Sequence, residues 1–189
     1  LIGDSHGAPD LLEAVVTYPE ILRYIAAVVS VAGAVGCSPL ANAAEEKDLG
    51  LLKHIPGSEC TEGDGHAVES LRPAVRRQWL ADNPLPDSIR YYSLVTYPEP
   101  DRISSVLKST HKKLSAVDSR NDSQVIFYDQ IIPGSTLMGY LNADHWAIAV
   151  PIAESHPTIG KYYVDKNGYP RIAILEATLR FIEEDMDRE

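Results

Sequence analysis

Short apolar runs alternate with amphipathic segments along the chain. Apolar residues dominate Ala26–Val31 and Ile89–Thr96, and Leu1 and Ile2 have the character of a strand end. Between these runs, Ala8–Val16 places leucines and valines at helical spacing. Runs rich in β-branched residues are typical of central parallel strands, because both faces of such strands are buried. The pattern therefore predicts an α/β fold in which a mostly parallel sheet is flanked by helices.

Weaker patterns describe the rest of the chain. The segment from 34 to 72 is rich in Gly, Ser, Asp and Glu, so we expect a cap- or lid-like insertion there. We predict helix at Ile21–Ile25, at Pro73–Ala81, from Pro100 to about Val117 and at Arg171–Glu184, extended chain at Val125–Tyr128 and Thr136–Leu141, and a polar turn at Ser119–Ser123.

The charge balance excludes some classes of partner. The chain has 27 acidic and 17 basic residues, a formal net charge of −10, which argues against nucleic acid or an anionic membrane surface as the main partner. The longest apolar stretch, 25–40, contains two glycines and a proline and is too short to span a bilayer.

Cys37 and Cys60 could pair in an exported protein or stay reduced in a cytosolic one, so the two cysteines leave the cellular compartment undecided.

The motif that suggests catalytic chemistry is the pentapeptide GDSHG at residues 3–7, which fits the pattern G-x-S-x-G. A serine on a sharp turn between a strand and a helix sits in strained backbone geometry, and the flanking glycines let strand and helix pass closely. Here an apolar strand end precedes the motif and an amphipathic helix follows it. We therefore predict Ser5 as a nucleophile, with the backbone N–H of His6 as a donor to a developing oxyanion.

A serine nucleophile needs a histidine base, and His145 is the favoured candidate. It lies in the loop Asn142–His145, directly after a predicted strand and late in the chain, where the order serine, acid, histidine requires it. His156 is the alternative. The side chain of His6 should point away from its neighbour Ser5. The remaining histidines, which we expect to be solvated, are His54, His66 and His111.

Three aspartates are candidates for the acid that orients the histidine. Asp122 sits in the polar turn, 23 residues before His145. Asp129 ends the apolar stretch VIFY, 16 residues before the same histidine, and Asp118 is a third option. Loop aspartates commonly serve as turn or cap residues, so spacing alone leaves the choice open.

Four patches of the sequence resemble a known family. GDSHG, IRYYSLVT, RNDSQV and NADHWAIAVP are similar to segments of the bacterial triacylglycerol lipases and related esterases of the α/β-hydrolase superfamily. The resemblance runs over residues 1 to about 151. It implies Ser5 as nucleophile, Asp122 as acid and His145 as base, acting on a small-molecule or lipid ester through an acyl-enzyme, without a metal or organic cofactor.

The chain departs from the family pattern in two places. Ser123 stands where the family usually has a glycine after the acid, which keeps Asp129 as a second candidate. The earlier strands, and the loop that supplies the second oxyanion donor in this superfamily, have no counterpart before Leu1. We therefore expect residues 1–189 to be the C-terminal part of one catalytic domain, poorly active without the rest.

Other functions fit the same residues. An acyltransferase or thioesterase uses the same triad, because the choice of acceptor depends on the pocket. A non-catalytic binding protein can retain the fold with a decayed site. A metal site built from Asp129, Asp144 and His145 is a weaker alternative, since no His-x-x-x-His or Cys-x-x-Cys spacing supports it.

Overall fold

The protein is described by a computed structural model covering residues 1–43, 66–149, 157–163 and 168–188. Its centre is a sheet of four parallel strands in the order β1-β2-β3-β4. The strands are β1 Ile2–Asp4, β2 Ala27–Val31, β3 Arg90–Thr96 and β4 Thr136–Leu141. The predicted mostly parallel α/β sheet is confirmed. All four strands point their carboxyl ends to the same edge, so the loops that follow them lie near one another.

Helices connect and flank these strands. The α-helices are α1 Gly7–Thr17, α2 Leu40–Ala43, α3 His66–Ser70, α4 Pro73–Asp82, α5 Lys108–Ser115, α6 His145–Ala149, α7 Pro157–Tyr163 and α8 Arg171–Met186. Short 3₁₀ turns occupy Pro19–Tyr24, Pro100–Arg102, Ser105–Leu107 and Phe127–Gln130.

The two faces of the sheet bury different sets of residues. Strand β2 alternates, so Val28 packs into the cluster that contains Leu12 and Val15 of α1. Its neighbour Val29 faces the opposite way, into the cluster that Ile182 of α8 completes. Helices α1 and α8 therefore cover opposite faces, which gives the layered α/β architecture.

The single helix predicted from Pro100 to Val117 is wrong, because a tertiary contact interrupts it. Ile103 and Ser104 are buried and extended. The backbone N–H of Ser104 donates to the Asp144 carboxylate at 2.9 Å, so it is unavailable to a helix. One 3₁₀ turn precedes Ile103 and Ser104 and another follows them, and regular helix begins only at Lys108.

The extended segment predicted at Val125–Tyr128 is also wrong for most of its length. The N–H of Val125 donates to the Asp122 side chain at 2.8 Å, so it does not join a sheet. Ile126 forms only an isolated bridge, and a 3₁₀ turn begins at Phe127. The apolar side chains at 125 and 126 are buried, which explains the strand-like pattern.

The segment 34–72 is described only in part, because residues 44–65 lie outside the described residues. Its first part belongs to the core: Val35 and Cys37 are fully buried, and Cys37 is a free thiol. Its last part, α3, lies against His6. The lid remains a prediction, and Cys60 falls outside the described residues.

Candidate active site

Strand β1 ends in a turn that places Ser5 in an uncommon backbone conformation. Its φ is +52°, in the left-handed region that side chains other than glycine rarely adopt. The Ser5 N–H donates to the Val31 carbonyl at 3.2 Å, and the Ser5 carbonyl accepts from the Ala34 N–H at 3.0 Å. Strand β2 and the segment after it therefore hold the turn from both sides. Positive φ at a polar residue between a strand and a helix is strain of the kind found at functional sites.

The two glycines of the motif have different roles. A Cβ at Gly3 would lie 2.6 Å from the Gly7 carbonyl oxygen, so only glycine lets α1 start this close to β1. A Cβ at Gly7 would meet no atom within 4 Å. The expectation that both glycines provide clearance is therefore right for Gly3 and wrong for Gly7, because only Gly3 faces the turn.

Strand β4 brings His145 to the same edge of the sheet. The histidine begins α6, and the preceding Asp144 caps this helix by accepting from the Ala147 N–H at 3.1 Å. The other oxygen of Asp144 binds the Ser104 N–H, and the backbone N–H of His145 donates to the Asp122 carbonyl at 2.9 Å. His145 is thus fixed through both its backbone and its neighbour.

Asp122 lies in a tight turn that its own side chain stabilises. Oδ1 of Asp122 accepts from the backbone N–H groups of Gln124 and Val125, at 2.9 and 2.8 Å. The next residue, Ser123, has φ +85°, a conformation that favours glycine. Asp122 is fully buried, and its second oxygen, Oδ2, points toward the carboxyl edge of the sheet.

These three side chains meet in one hydrogen-bonded path. His145 Nε2 lies 2.7 Å from Ser5 Oγ, and His145 Nδ1 lies 2.7 Å from Asp122 Oδ2. His145 is 5% exposed and Asp122 is not exposed, whereas Ser5 is half-buried. The fold thus brings His145 into contact with Ser5, 140 residues away along the chain, and with Asp122, 23 residues away.

The other two aspartates considered as the acid have different partners. Asp129 is buried beside Gly36 and Cys37, and its carbonyl accepts from the Gly36 N–H at 2.8 Å. Asp118 forms an ion pair with Arg120 at 2.9 Å. Neither carboxylate lies against His145.

The other described histidines lie elsewhere. The His6 side chain turns away from Ser5 and contacts Asp10 and the Ser70 hydroxyl, at 3.2 and 3.1 Å. Its backbone N–H has no hydrogen-bond acceptor among the described residues. His111 is half-buried rather than solvated, and burial lowers its pKa. His66 starts α3, whereas His54 and His156 lie outside the described residues.

Acidic neighbours control the charge of His145. Burial by itself lowers the pKa of the imidazole, but the charge and hydrogen bond of Asp122, with further contributions from Asp4 and Asp144, raise it above its ordinary value. Asp4 immediately precedes Ser5. Burial raises the pKa of Asp4 to about 6, although the positive charge of His145 opposes this shift.

Two residues that the sequence did not single out complete the surroundings of Asp122. The hydroxyl of Thr96, at the end of β3, donates to Asp122 Oδ2 at 3.0 Å, the same oxygen that contacts His145. The side chain of Gln130 makes two hydrogen bonds to the Thr96 backbone: its Oε1 accepts from the N–H at 2.7 Å, and its Nε2 donates to the carbonyl at 2.8 Å. Both residues are fully buried. A polar residue ending a buried strand was the available signal for Thr96.

The weaker metal alternative has no geometric support among the described residues. Asp129, Asp144 and His145 each bind different protein groups, and no cluster of three or more His, Cys, Asp or Glu suited to a metal ion occurs in the described ranges. No described helix has both the length and the apolar character needed to cross a membrane.

Known structures share this architecture. A metagenomic carboxyl esterase is 43% identical to the chain, matches 97% of it and superposes with a TM-score of 0.90. A lipase of Bacillus licheniformis matches 77% of the chain in its mature form, at 21% identity and a TM-score of 0.60, and 85% in its propeptide form, at 19% and 0.64. The chain has the α/β-hydrolase fold. It resembles the esterases and lipases of that superfamily.

The match does not extend over the whole of these proteins. The chain spans 55% of the length of the metagenomic esterase, and 57% and 34% of the mature and propeptide forms of the lipase. No protein-family model and no curated protein sequence matches the chain.

Proposed function

We propose that the protein hydrolyses carboxylic esters, with Ser5 as nucleophile, His145 as base and Asp122 as the acid that orients the histidine. The observation that carries the proposal is the unbroken path Ser5 Oγ–His145 Nε2 and His145 Nδ1–Asp122 Oδ2, with both distances at 2.7 Å. A path of this kind has the geometry of a nucleophile, a base and an orienting group.

In the first half-reaction, Ser5 Oγ forms a bond to the ester carbonyl carbon while His145 Nε2 accepts the hydroxyl proton. The electron pair of the carbonyl moves to its oxygen. Collapse of this intermediate breaks the bond to the leaving alcohol, which takes the proton from His145. An acyl-Ser5 ester remains. Water repeats the sequence, so the acid is released and Ser5 regains its proton.

The negatively charged intermediate needs hydrogen-bond donors in place before the reaction begins. The backbone N–H of His6 lies directly after the nucleophile at the start of α1 and has no acceptor among the described residues. We assign it as one oxyanion donor. A single such donor contributes roughly 3 kcal/mol to transition-state stabilisation in serine hydrolases.

The buried acid has a separate role. Asp122 keeps the proton of the neutral imidazole on Nδ1, which leaves the lone pair of Nε2 for the Ser5 proton. It also stabilises the imidazolium that forms in each step, and it raises the pKa of His145. The same triad serves acyltransferases and thioesterases, and the test below includes acceptors other than water.

The experiment measures hydrolysis of short- and long-chain p-nitrophenyl esters and labelling by a fluorophosphonate probe. We expect wild type to be labelled at Ser5, and Ser5→Ala to lose both labelling and hydrolysis. Asp122→Asn should lower kcat by roughly 10³–10⁴-fold, because it favours the wrong tautomer of the histidine. Asp129→Asn is the matched control, since it changes a buried aspartate that does not contact His145, and it should retain activity.

Other results would change the assignment. Equal hydrolysis by wild type and Ser5→Ala would reject Ser5 as the nucleophile, and hydrolysis by wild type no faster than the uncatalysed background would favour a binding protein. A product ester formed with added alcohol, in place of free acid, would favour an acyltransferase. Loss of activity in Asp129→Asn, with activity kept in Asp122→Asn, would make Asp129 the acid.

A further inference from the structure

We propose that Asp4 is a second acidic positioning residue of the site: its carboxylate stabilises the His145 imidazolium that forms during catalysis and so sets the pH range of the reaction. The inference rests on the proposed ester hydrolysis and deepens it. Asp4 belongs to the motif GDSHG, but neither the triad nor the oxyanion assignment gives it a role.

The position of Asp4 is fixed by the sheet and by the turn at residues 3–7. It is the last residue of β1, pairs with Val31 of β2 and immediately precedes Ser5, whose hydroxyl lies 2.7 Å from His145. Its side chain lines a cavity of about 230 Å³ together with Ile148, which lies one turn after His145 on α6. The turn at residues 3–7 and α6 therefore place Asp4 and Ile148 on the wall of the same cavity, one helical turn from the histidine.

The carboxylate has no local function that explains it. Asp4 Oδ1 is buried and has no hydrogen-bond partner among the described residues. The rest of the cavity wall is mostly apolar, with Val31 and Leu94 from the sheet and Ile174 from α8. A buried carboxylate oxygen without a hydrogen bond destabilises a fold unless a positive charge lies nearby.

Two positively charged groups are candidates for this interaction, the protonated His145 and Arg171. His145 is influenced by Asp122, Asp4 and Asp144, and Asp4 by His145 and Asp122. Arg171 of α8 lines the same cavity, and its Nε is buried without a hydrogen-bond partner among the described residues. Of these groups, His145 is the one whose charge changes during the reaction.

The electrostatic consequence has a definite sign. An ionised Asp4 favours the protonated form of His145, because opposite charges attract in a partly desolvated site. It therefore raises the pKa of the histidine, in addition to the larger effect of Asp122. It also lowers the energy of the transition state in which His145 carries the proton. The two groups titrate as a coupled pair, since burial raises the pKa of Asp4 to about 6.

The test is Asp4→Asn, which keeps the shape of the side chain and removes its charge. We expect the pKa of the His145 imidazole, measured by NMR titration, to fall by about half a pH unit or more. The acidic limb of kcat/KM should move to lower pH by the same amount. At pH 8, kcat should fall about threefold, the same free energy expressed as a rate, with KM little changed.

Three variants make the test specific. Asp4→Glu retains the charge and should restore the pKa of His145 to near its wild-type value. Asp87→Asn removes one negative charge from an exposed position near the opposite end of the sheet and should shift nothing. If Asp4→Asn does not fold, Asp4→Ser provides the same loss of charge with a smaller side chain.

The outcomes separate this inference from the proposed function. An unchanged pKa of His145 in the uncharged Asp4 variants, or an equal shift in Asp87→Asn, would overturn the role of Asp4. The NMR titration needs no substrate, so it gives this answer even if wild type hydrolyses esters no faster than the uncatalysed background, the result that would reject the function itself.

Discussion

Ser123 is held in a backbone conformation that costs free energy. Its φ is +85°, its side chain is fully buried, and its hydroxyl has no hydrogen-bond partner among the described residues. Its N–H donates to the side-chain oxygen of Asn121. The side chain of its neighbour Asp122 accepts from the backbone N–H groups of Gln124 and Val125. The turn that presents Asp122 therefore imposes strain on the residue after it.

Replacing Ser123 with glycine should stabilise the protein. Glycine adopts positive φ without strain and removes the unpaired hydroxyl, and these gains exceed its greater entropy in the unfolded state. We expect the free energy of unfolding to rise by about 1 kcal/mol in urea titrations. Ser123→Ala separates the two contributions, because it removes the hydroxyl and keeps the strain. A Ser123→Gly variant less stable than wild type would show that the serine contributes an interaction of its own.

At the scale of elements, the site depends on a contact between β3 and the 3₁₀ turn Phe127–Gln130. Gln130 makes paired hydrogen bonds to the backbone of Thr96, as a neighbouring strand would. Thr96 in turn directs its hydroxyl at the oxygen of Asp122 that contacts His145. The end of β3 and the turn after Asp122 are thus fixed to each other, and the orientation of the Asp122 carboxylate follows from both.

Thr96→Val tests this contact, because valine has nearly the same shape and lacks the hydroxyl. A hydrogen bond to a charged group is worth more than one between neutral groups, so we expect kcat to fall about tenfold with little change in KM. The backbone hydrogen bonds to Gln130 remain in this variant. Thr96→Ser restores the donor and should recover most of the rate in steady-state ester hydrolysis. Equal rates for valine and threonine would mean that the Asp122 turn orients the carboxylate unaided.

At the scale of the whole molecule, buried ionisable groups make stability depend on pH. Burial raises the pKa of Asp4 to about 6 and also raises the pKa values of Asp129 and Asp144. His145 is raised by its acidic neighbours. The folded state therefore binds more protons than the unfolded state between about pH 4 and the folded pKa values, so stability is lost as pH rises through this range. The lowered pKa values of His111 and of the Leu1 amino group act in the opposite sense, but they are two groups against four.

We accordingly expect Tm to be higher at pH 5.5 than at pH 8, as measured by thermal unfolding at constant ionic strength. The net charge of −10 adds to this trend, because self-repulsion grows as carboxyl groups ionise. Asp129→Asn removes one of the buried carboxyl groups and should reduce the slope. A Tm that rises from pH 5.5 to pH 8 would contradict the expectation.

The sequence by itself determined the sheet and the position of the turn at residues 3–7. Apolar runs such as Ala26–Val31 predict central strands because their environment is apolar on both faces, which is a local property of the residue types. The motif at residues 3–7 placed Ser5 between a strand and a helix, because an apolar strand end precedes it and an amphipathic segment follows it. His145 followed from the order of elements, since it comes directly after a predicted strand.

Only the tertiary structure decided which carboxylate faces His145 and what surrounds it. Asp122 and Asp129 are equivalent by composition, and the choice depends on hydrogen bonds that join residues far apart in the chain. The helix break at Ser104 has the same origin, because its N–H is taken by Asp144, 40 residues away. Local patterns record propensity and burial, whereas hydrogen-bond partners are chosen only when distant segments meet.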